Sequence, residues 1–180
     1  YPIDFSDDVI SAMSELNCVC PSIHLPVQSG SDEQLRLMRR GYSLDDFRRL
    51  VDKLRNAIPD IAISTDIITG FCGEAEKDFQ DTCKLMEEIR FDFAFMFKYS
   101  EREGTYAFKK MEDDIPEDIK SQRLQHIIKL QERISLEKNQ ICIGKSYPVL
   151  IEGKSKRKGK DGKDRYYGKT PHNKTTVVSE

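Results

Sequence analysis

The sequence lacks long apolar runs, and its cysteines are few and unevenly spaced. No run approaches the roughly 18–20 residues of a membrane-spanning helix, and no signal-peptide pattern opens the chain. The cysteines number five, and an odd count without a secretory signal argues against a disulfide framework. A net charge of only −2 does not indicate a nucleic-acid binder. With 38% hydrophobic residues, these absences predict a cytoplasmic protein, with no membrane partner, that folds around a core.

Positive charge is concentrated in one segment although the whole chain is nearly neutral. Between residues 154 and 163 the only acid is Asp161, and the basic residues are Lys154, Lys156, Arg157, Lys158, Lys160 and Lys163. Such a run is either a solvated loop or a surface that contacts phosphates, and both interpretations stay open at this point.

Strand and helix patterns alternate through the first part of the chain. Helices are predicted at 7–16, 32–38, 44–58 and 79–89, and strands at 22–28, 61–69 and 93–99. This order predicts an α/β fold whose parallel strands, apolar on both faces, are joined by right-handed crossovers. Three strands are too few to close an eight-stranded barrel. An exposed sheet edge, and with it possible self-association, is therefore expected.

The pattern changes in the last third of the chain. Pro116 opens a predicted helix at 117–140, and an alternating, Lys-rich segment with strands near 147–151, 165–169 and 174–178 follows. We predict three units, at 1–115, 116–142 and 143–180, the last a small antiparallel β module. Because Tyr1 is not Met and the final residues read as a strand, we expect a piece of a longer protein.

Each of the three predicted strands ends in polar or glycine-containing sequence. The strand ends read HLPVQSGS (24–31), TDIITGFCGE (65–74) and KYS (98–100). Ligands of β/α folds bind at the carboxyl ends of strands, so this pattern predicts a binding site. Asp66, Gln28 and Ser29 could instead be structural, and His24 is expected to be a core histidine. Cys18 and Cys20 with His24 lack the second ligand pair of a zinc site.

Seven motifs in order resemble the MiaB-type tRNA methylthiotransferases over residues 5–178. They are HLPVQSGS, RRGYS, STDIITGF-C-GE, FKYS-E-R-E-GT, RLQ, ISLEKNQ and YGKTPHNKTTVV. The resemblance implies an enzyme that methylthiolates carbon 2 of an N6-prenylated adenosine beside the tRNA anticodon. It implies S-adenosylmethionine (SAM), two 4Fe-4S clusters, a sulfur donor and an electron donor. It also implies the later strands of a partial radical SAM barrel, a bridging helix and a truncated RNA-binding β module called TRAM.

The resemblance also implies roles for individual residues. Gln28 and Asp66 would meet the ribose of SAM, Arg40 its carboxylate, and Ile68 and Gly70 its adenine, with Ser29, Lys98 and Tyr99 as further cofactor contacts. The residues that would face tRNA phosphates are Arg102, Lys154, Lys156, Arg157, Lys158, Arg165, Lys169 and Lys174. No catalytic residue and no metal ligand is predicted here, because the family's C-x3-C-x2-C motif is absent from the sequence. We therefore expect the isolated chain to be inactive.

Two alternative functions remain. A sister enzyme would modify threonylcarbamoyl-adenosine, but that branch typically has FPYS where this chain has Phe97–Ser100. The chain could also act as a non-catalytic RNA-binding domain. Two prolines of the family pattern are replaced, one of them by Cys72 and the other within the loop 100–105.

Overall fold

The computed structural model describes residues 5–156, 158–159 and 162–179. Its elements, in chain order, are α1 (Asp7–Glu15), β1 (Ser22–His24), α2 (Asp32–Leu37), α3 (Leu44–Ala57), β2 (Ala62–Thr69), α4 (Glu76–Ile89), β3 (Phe93–Lys98), α5 (Tyr106–Lys110), α6 (Glu117–Gln140), β4 (Leu150–Lys154), β5 (Arg165–Lys169) and β6 (Thr175–Ser179). The predicted α/β alternation is confirmed, and α5 is a short helix that the sequence analysis missed.

The first sheet is parallel, with the order β1-β2-β3. Strand β1 is shorter than predicted and ends at His24, because Pro26 has no N–H group to continue the ladder. The chain returns to the sheet at Gln28, which forms an isolated parallel bridge with Ile67. The first strand therefore reaches the carboxyl edge of the sheet through an irregular segment.

The two faces of this sheet differ, contrary to the prediction that its strands are buried on both faces. In β2, Ile63, Thr65 and Ile67 are buried and alternate with half-buried residues. In β3, the rings of Phe93, Phe95 and Phe97 are 52%, 49% and 52% exposed. The period-two pattern is therefore that of a sheet covered on one face. We call the other face, with Ser64, Asp66, Ile68 and these three phenylalanines, the open face.

Helices α3 and α4 supply much of the core. Phe47, Val51 and Leu54 of α3 and Met86 of α4 are buried, and Phe47 packs against Phe91 with ring centroids 6.3 Å apart. Helix α3 begins with the predicted capping box. The Ser43 hydroxyl accepts a hydrogen bond from the Asp46 N–H, and the Asp46 carboxylate accepts one from the Ser43 N–H.

The long helix α6 has the predicted bounds and packs along β3 and α4. Its 24 residues correspond to about 36 Å. Of the predicted core-facing residues, Ile127, Gln131 and Ile134 are buried, whereas Leu124 and Ile128 are only half-buried. Its buried face also includes Lys120 and Arg123, two charged residues that the sequence analysis did not place there.

The last three strands form a separate antiparallel sheet of order β4-β5-β6, which we call the β module. It lies against the amino-terminal side of the parallel sheet and the end of α6. Lys174 Nζ lies 3.0 Å from Asn139 Oδ1 and 3.6 Å from Asp92 Oδ1, and His172 Nε2 lies 3.0 Å from Asp60 Oδ2. Across the described part of the chain, no helix combines the length and apolarity needed to cross a membrane.

The capping box gives a testable prediction. Replacing Ser43 with Ala removes the side-chain acceptor at the start of α3, so we expect a loss of about 1 kcal/mol in the free energy of unfolding. Urea denaturation of the purified chain measures this difference. The matched control is Ser11→Ala, an exposed serine within α1, which should change stability by less than about 0.5 kcal/mol. Equal effects of the two substitutions would refute the role of the cap.

Candidate functional site

Three strand ends meet at the carboxyl edge of the parallel sheet. The Gln28 N–H donates to the Asp66 carbonyl at 2.8 Å, and the Gln28 carbonyl accepts from the Ile68 N–H at 2.9 Å. On the other side, the Tyr99 N–H donates to the Thr69 carbonyl at 2.8 Å. The structure thus brings together six residues predicted from the sequence, namely Gln28, Asp66, Ile68, Gly70, Lys98 and Tyr99. We call this edge the ligand edge.

The backbone at Gln28 is held in an uncommon conformation. Its φ angle is 73°, in the left-handed region that residues with a side chain rarely adopt, and the residue is 7% exposed. Strain of this kind costs about 1–3 kcal/mol and is concentrated at functional sites. The sequence gives no local signal for this conformation, since Gln is not a residue that favours positive φ.

The turn after Gln28 is fastened to α4 by Thr82. The Gly30 N–H donates to Thr82 Oγ1 at 2.9 Å, and a Cβ atom at Gly30 would collide with the Thr82 backbone. Ser29 is fully buried, and its hydroxyl accepts from the Ser31 N–H at 3.2 Å. The structure therefore gives the Ser29 side chain a structural role. Its contact with a cofactor stays a prediction, and the residue is fully buried in this chain.

Asp66 and His24 form a pair on the open face. His24 Nε2 lies 3.3 Å from Asp66 Oδ1, and His24 Nδ1 lies 3.0 Å from Ser64 Oγ. The two side chains are 43% and 28% exposed. His24 is therefore not the core histidine that the sequence suggested. Asp66 keeps a solvent-facing carboxylate, which can accept hydrogen bonds from hydroxyl groups of a ligand.

The turn after β2 is held by a buried ion pair. Glu74 Oε2 accepts from the Gly70 N–H at 2.7 Å and from Arg123 Nη1 of α6 at 2.7 Å. Glu74 is 2% exposed and Arg123 8% exposed. Burial raises the pKa of Glu74, while the Gly70 N–H and Arg123 oppose this rise. The motif at residues 65–74 contains Glu74, but its partner Arg123 lies 49 residues later, on α6.

Gly70 itself fits only as glycine. Its φ angle is 70°, and a Cβ atom there would collide with the side chain of Lys120. Lys120 is in turn neutralised by Asp113, with an Nζ–Oδ2 distance of 2.5 Å, and its Nζ lies 5.3 Å from the centre of the Tyr99 ring. Helix α6 therefore supports the ligand edge at two successive turns.

Lys98 and Tyr99 are placed differently from each other. Lys98 is 43% exposed and forms an ion pair with Glu117. The Tyr99 ring packs edge-on against Phe71 with centroids 4.8 Å apart, and burial is the main cause that raises its pKa to about 12. Tyr99 therefore remains a phenol at neutral pH. Lys98 is the more accessible of the two.

Arg40 is half-buried and follows α2 by three residues. Its Nε is buried and has no hydrogen-bond partner within the described residues. The neighbouring Tyr42 donates its hydroxyl hydrogen to the Val27 carbonyl at 2.9 Å, which ties this segment to the residue before Gln28. The half-buried Arg40 guanidinium can form charge-assisted hydrogen bonds with an anionic ligand such as a carboxylate.

The residues predicted to face RNA lie at two ends of the parallel sheet. Arg102 is exposed in the loop that follows the ligand edge, whereas the others belong to the β module. Lys154, Lys156, Lys158 and Lys169 are exposed and Arg165 is half-buried; Arg157 lies outside the described residues. The Lys174 Nζ lies 3.0 Å from Asn139 Oδ1 and 3.6 Å from Asp92 Oδ1, and its contact with RNA stays a prediction. It holds the module in place.

The cysteines do not form a metal site within the residues that the structure describes, where no group of three or more His, Cys, Asp or Glu side chains could hold an ion. Cys18 and Cys20 are exposed, and Cys72 and Cys83 are buried. Burial raises the pKa of Cys83 to about 11, so its thiol stays protonated and unreactive.

Known proteins resemble this chain over its whole length. The model of the radical SAM superfamily matches residues 2–86. A protein named tRNA-2-methylthio-N(6)-dimethylallyladenosine synthase from Porphyromonas gingivalis is 49% identical over 180 residues, which are 100% of this chain and 38% of that protein. Proteins of the same name from Bacteroides thetaiotaomicron and Caldicellulosiruptor saccharolyticus are 49% and 51% identical, over 98% and 87% of this chain and 38% and 33% of their own lengths. The chain thus spans about 38% of the length of the first of these relatives.

A solved structure shares the fold. Coproporphyrinogen III oxidase (HemN) from Escherichia coli, described as a radical SAM enzyme, aligns with a TM-score of 0.60 and 23% identity. The alignment covers 74% of this chain and 31% of the oxidase. At this identity the likeness supports the α/β fold alone.

The ion pair at the ligand edge gives a second prediction. Arg123→Met leaves the Glu74 carboxylate buried without its counter-ion, so we expect the free energy of unfolding to fall by about 3–5 kcal/mol. Denaturant titration measures the loss. Adding Glu74→Gln to Arg123→Met should restore part of it, because the uncompensated charge is removed. The control is Arg133→Met, which breaks exposed pairs and should cost about 0–1 kcal/mol. A similar loss for both arginines would contradict the importance of burial.

Proposed function

This chain belongs to the radical SAM superfamily, and we propose that it is part of a tRNA methylthiotransferase. The enzyme would add a methylthio group to carbon 2 of an N6-prenylated adenosine beside the anticodon. In this proposal residues 1–115 contribute the later strands of a partial radical SAM barrel, residues 116–142 the bridging helix and residues 143–180 a TRAM module. Two 4Fe-4S clusters would be held by residues outside this chain.

The main support for this proposal is that three strand ends meet at one edge of the parallel sheet. Support comes from the solvent-facing carboxylate of Asp66 and the half-buried side chain of Ile68 at the ligand edge, and from the half-buried guanidinium of Arg40. These groups fit SAM, which offers vicinal ribose hydroxyls, an adenine ring and a carboxylate. When bound together with a reduced iron–sulfur cluster, SAM supplies the radical that starts the chemistry.

The residues of this chain would bind and orient the cofactor. Asp66 and Gln28 would hold the ribose, and Arg40 would pair with the methionine carboxylate. Ile68, half-buried on the open face, offers apolar contact for adenine, and Lys98 is accessible enough to contact cofactor or substrate. The ion pair of Glu74 and Arg123 holds the turn at Gly70. The ligand edge is therefore ordered before a ligand binds.

The partner of the proposed enzyme is tRNA. Support comes from the exposed cations of the β module, Lys154, Lys156, Lys158 and Lys169, and from Arg102 beside the ligand edge. A nucleotide that undergoes chemistry must leave the base stack, so single-stranded loop residues are the expected substrate. On its own, the 180-residue chain is expected to bind RNA without turnover.

Mass spectrometry of nucleosides tests the proposed function. The longer protein that contains this chain is reconstituted anaerobically and incubated with SAM, reductant and tRNA that lacks the modification. A methylthio gain on prenylated adenosine is the expected result. A gain only on threonylcarbamoyl-adenosine would retain the chemistry and reject the proposed substrate. With intact clusters, the absence of any methylthiolated nucleoside would reject the function.

Substitution of Asp66 tests the cofactor contact in the same assay. Asp66→Asn keeps the shape but weakens the acceptor, so we expect about 10-fold or greater loss of activity at limiting SAM, from about 1.5–3 kcal/mol for a hydrogen bond to a charged group. Raising the SAM concentration should restore part of the rate. The control Asp52→Asn changes an exposed aspartate of α3 and should leave the rate unchanged. A full rate for Asp66→Asn at limiting SAM would disprove the contact.

A further inference from the structure

Helix α2 ends in a backbone turn that has an arginine where glycine is usual. The Arg40 N–H donates to the Leu35 carbonyl at 2.8 Å, and the Arg39 N–H donates to the Arg36 carbonyl at 3.0 Å. These two hydrogen bonds define a Schellman motif, in which Arg39 takes the left-handed position and Arg40 follows it. The φ angle of Arg39 is 57°. Because a side chain disfavours positive φ, this position needs support from outside the helix.

The Arg39 side chain stacks on Tyr106 of α5. Its guanidinium carbon lies 3.4 Å from the centre of the Tyr106 ring, which is within the range of a cation–π contact. The guanidinium and the ring are both planar, so stacking restricts the orientation of the Arg39 side chain. The contact therefore supports a backbone conformation of Arg39 that the local sequence disfavours.

Helix α5 is itself held by a small apolar cluster that is separate from the main core. The buried members of this cluster are Phe71, Cys72 and Ala107, and the half-buried residues that pack against them are Leu37, Met38, Tyr99 and Met111. The cluster joins the end of α2, the turn after β2 and α5. Since Ala107 directly follows Tyr106, an anchored helix presents the Tyr106 ring to Arg39.

Two further contacts tie the turn after β2 to this arrangement. The Gly73 N–H donates to Asp114 Oδ1 at 2.7 Å, and Asp114 lies between α5 and α6. A Cβ atom at Gly73 would lie 3.7 Å from Leu37 Cδ1, so the end of α2 reaches the same turn. The segment 99–114 therefore connects the ligand edge with the end of α2 through contacts within this chain.

We propose that Tyr106 is a positioning residue for the cofactor, because by holding Arg39 it sets the direction in which Arg40 meets a carboxylate. The Arg40 N–H closes the Schellman motif. When Arg39 leaves the left-handed conformation, the motif opens and the Arg40 side chain changes direction. Tyr106 does not touch the ligand and acts through Arg39.

The position of Tyr106 favours this local role over a general contribution to stability. The Tyr106 ring belongs to neither apolar cluster of the chain, and it is 45% exposed. Ala107 keeps α5 in place when the ring is removed. The effect of removing it should therefore be confined to residues 38–41.

The inference rests on the proposed function, because the carboxylate that Arg40 would meet is that of SAM. It deepens that function by giving a role to α5, a helix to which neither the cofactor nor the RNA contacts were assigned.

Amide hydrogen exchange on the longer protein, loaded with its clusters and without SAM, tests the stack itself. Tyr106→Ala should raise exchange about 5-fold or more in residues 38–41, because the Arg40 N–H loses its fixed acceptor. Tyr106→Phe keeps the aromatic face and should exchange like the unaltered protein. The matched control Phe108→Ala removes another exposed ring of α5 and should leave residues 38–41 unchanged. Unchanged exchange in Tyr106→Ala would overturn the inference at its first step.

Equilibrium binding separates a role toward the carboxylate from a general loss of structure. The probes are SAM and decarboxylated SAM, which keeps the adenine, ribose, sulfonium and amine groups. Tyr106→Ala should weaken SAM binding about 5-fold, the usual scale for ordering one side chain at a binding site. Its affinity for decarboxylated SAM should equal that of the unaltered protein. Tyr106→Phe should bind SAM normally.

A double-mutant cycle shows whether Tyr106 acts through Arg40. Arg40→Met should weaken SAM binding about 10-fold or more, from the loss of a charge-assisted hydrogen bond. Adding Tyr106→Ala to Arg40→Met should have no further effect. Additive losses, or an equal loss for SAM and decarboxylated SAM, would overturn the inference and leave Tyr106 a purely structural residue.

Failure of the inference and failure of the proposed function give different results. If the unaltered protein binds SAM and Tyr106→Ala binds it equally well, the inference is rejected and the proposed function stands. If the unaltered protein with intact clusters does not bind SAM, the proposed cofactor site is rejected and the inference with it. A carboxylate-dependent effect of Tyr106→Ala without methylthiolation would keep the inference and reject the proposed reaction.

Discussion

The buried ion pair between Glu74 and Arg123 joins the ligand edge to the long helix, and much of the site depends on it. Both groups are nearly inaccessible to water, so each carries a large desolvation cost that the other group helps to offset. The Gly70 N–H shares the same carboxylate oxygen, which fixes the turn after β2. Such a pair contributes little net stability over an apolar contact, but it is intolerant of losing one partner. The Glu74–Arg123 pair therefore determines the position of the Gly70 turn more than it adds to the stability of the chain.

Helix α6 extends this constraint to the other end of the sheet. Near its start, Lys120 and Arg123 support the ligand edge, and near its end Lys138 meets Asp92. Asp92 also lies close to Lys174 of the β module. One helix thus contacts the ligand edge and the residues next to the β module through separate ion pairs.

Features with a local physical cause could be predicted from the sequence. The capping box at Ser43 and the helix that follows Pro116 depend on residues within a few positions, and both are confirmed. The sequence also allowed the convergence of the strand ends to be predicted, because the carboxyl ends of parallel strands lie at the same edge of a sheet. The hydrogen bonds of Thr82 with Ser29 and Gly30 could not be predicted from the sequence. These residues lie 53 and 52 positions before Thr82 and are brought to it only by the fold. The contacts of Lys174 with Asn139 and Asp92 could not be predicted for the same reason, because only the fold brings these residues together.

Amide hydrogen exchange on the cluster-reconstituted longer protein, with and without SAM, tests most directly whether the three strand ends act as one cofactor site. The account predicts that SAM slows exchange together in the segments 28–31, 66–73 and 98–100, and that Arg123→Met weakens this protection in 66–73 first. Protection confined to one of the segments, or located elsewhere in the chain, would contradict the central claim.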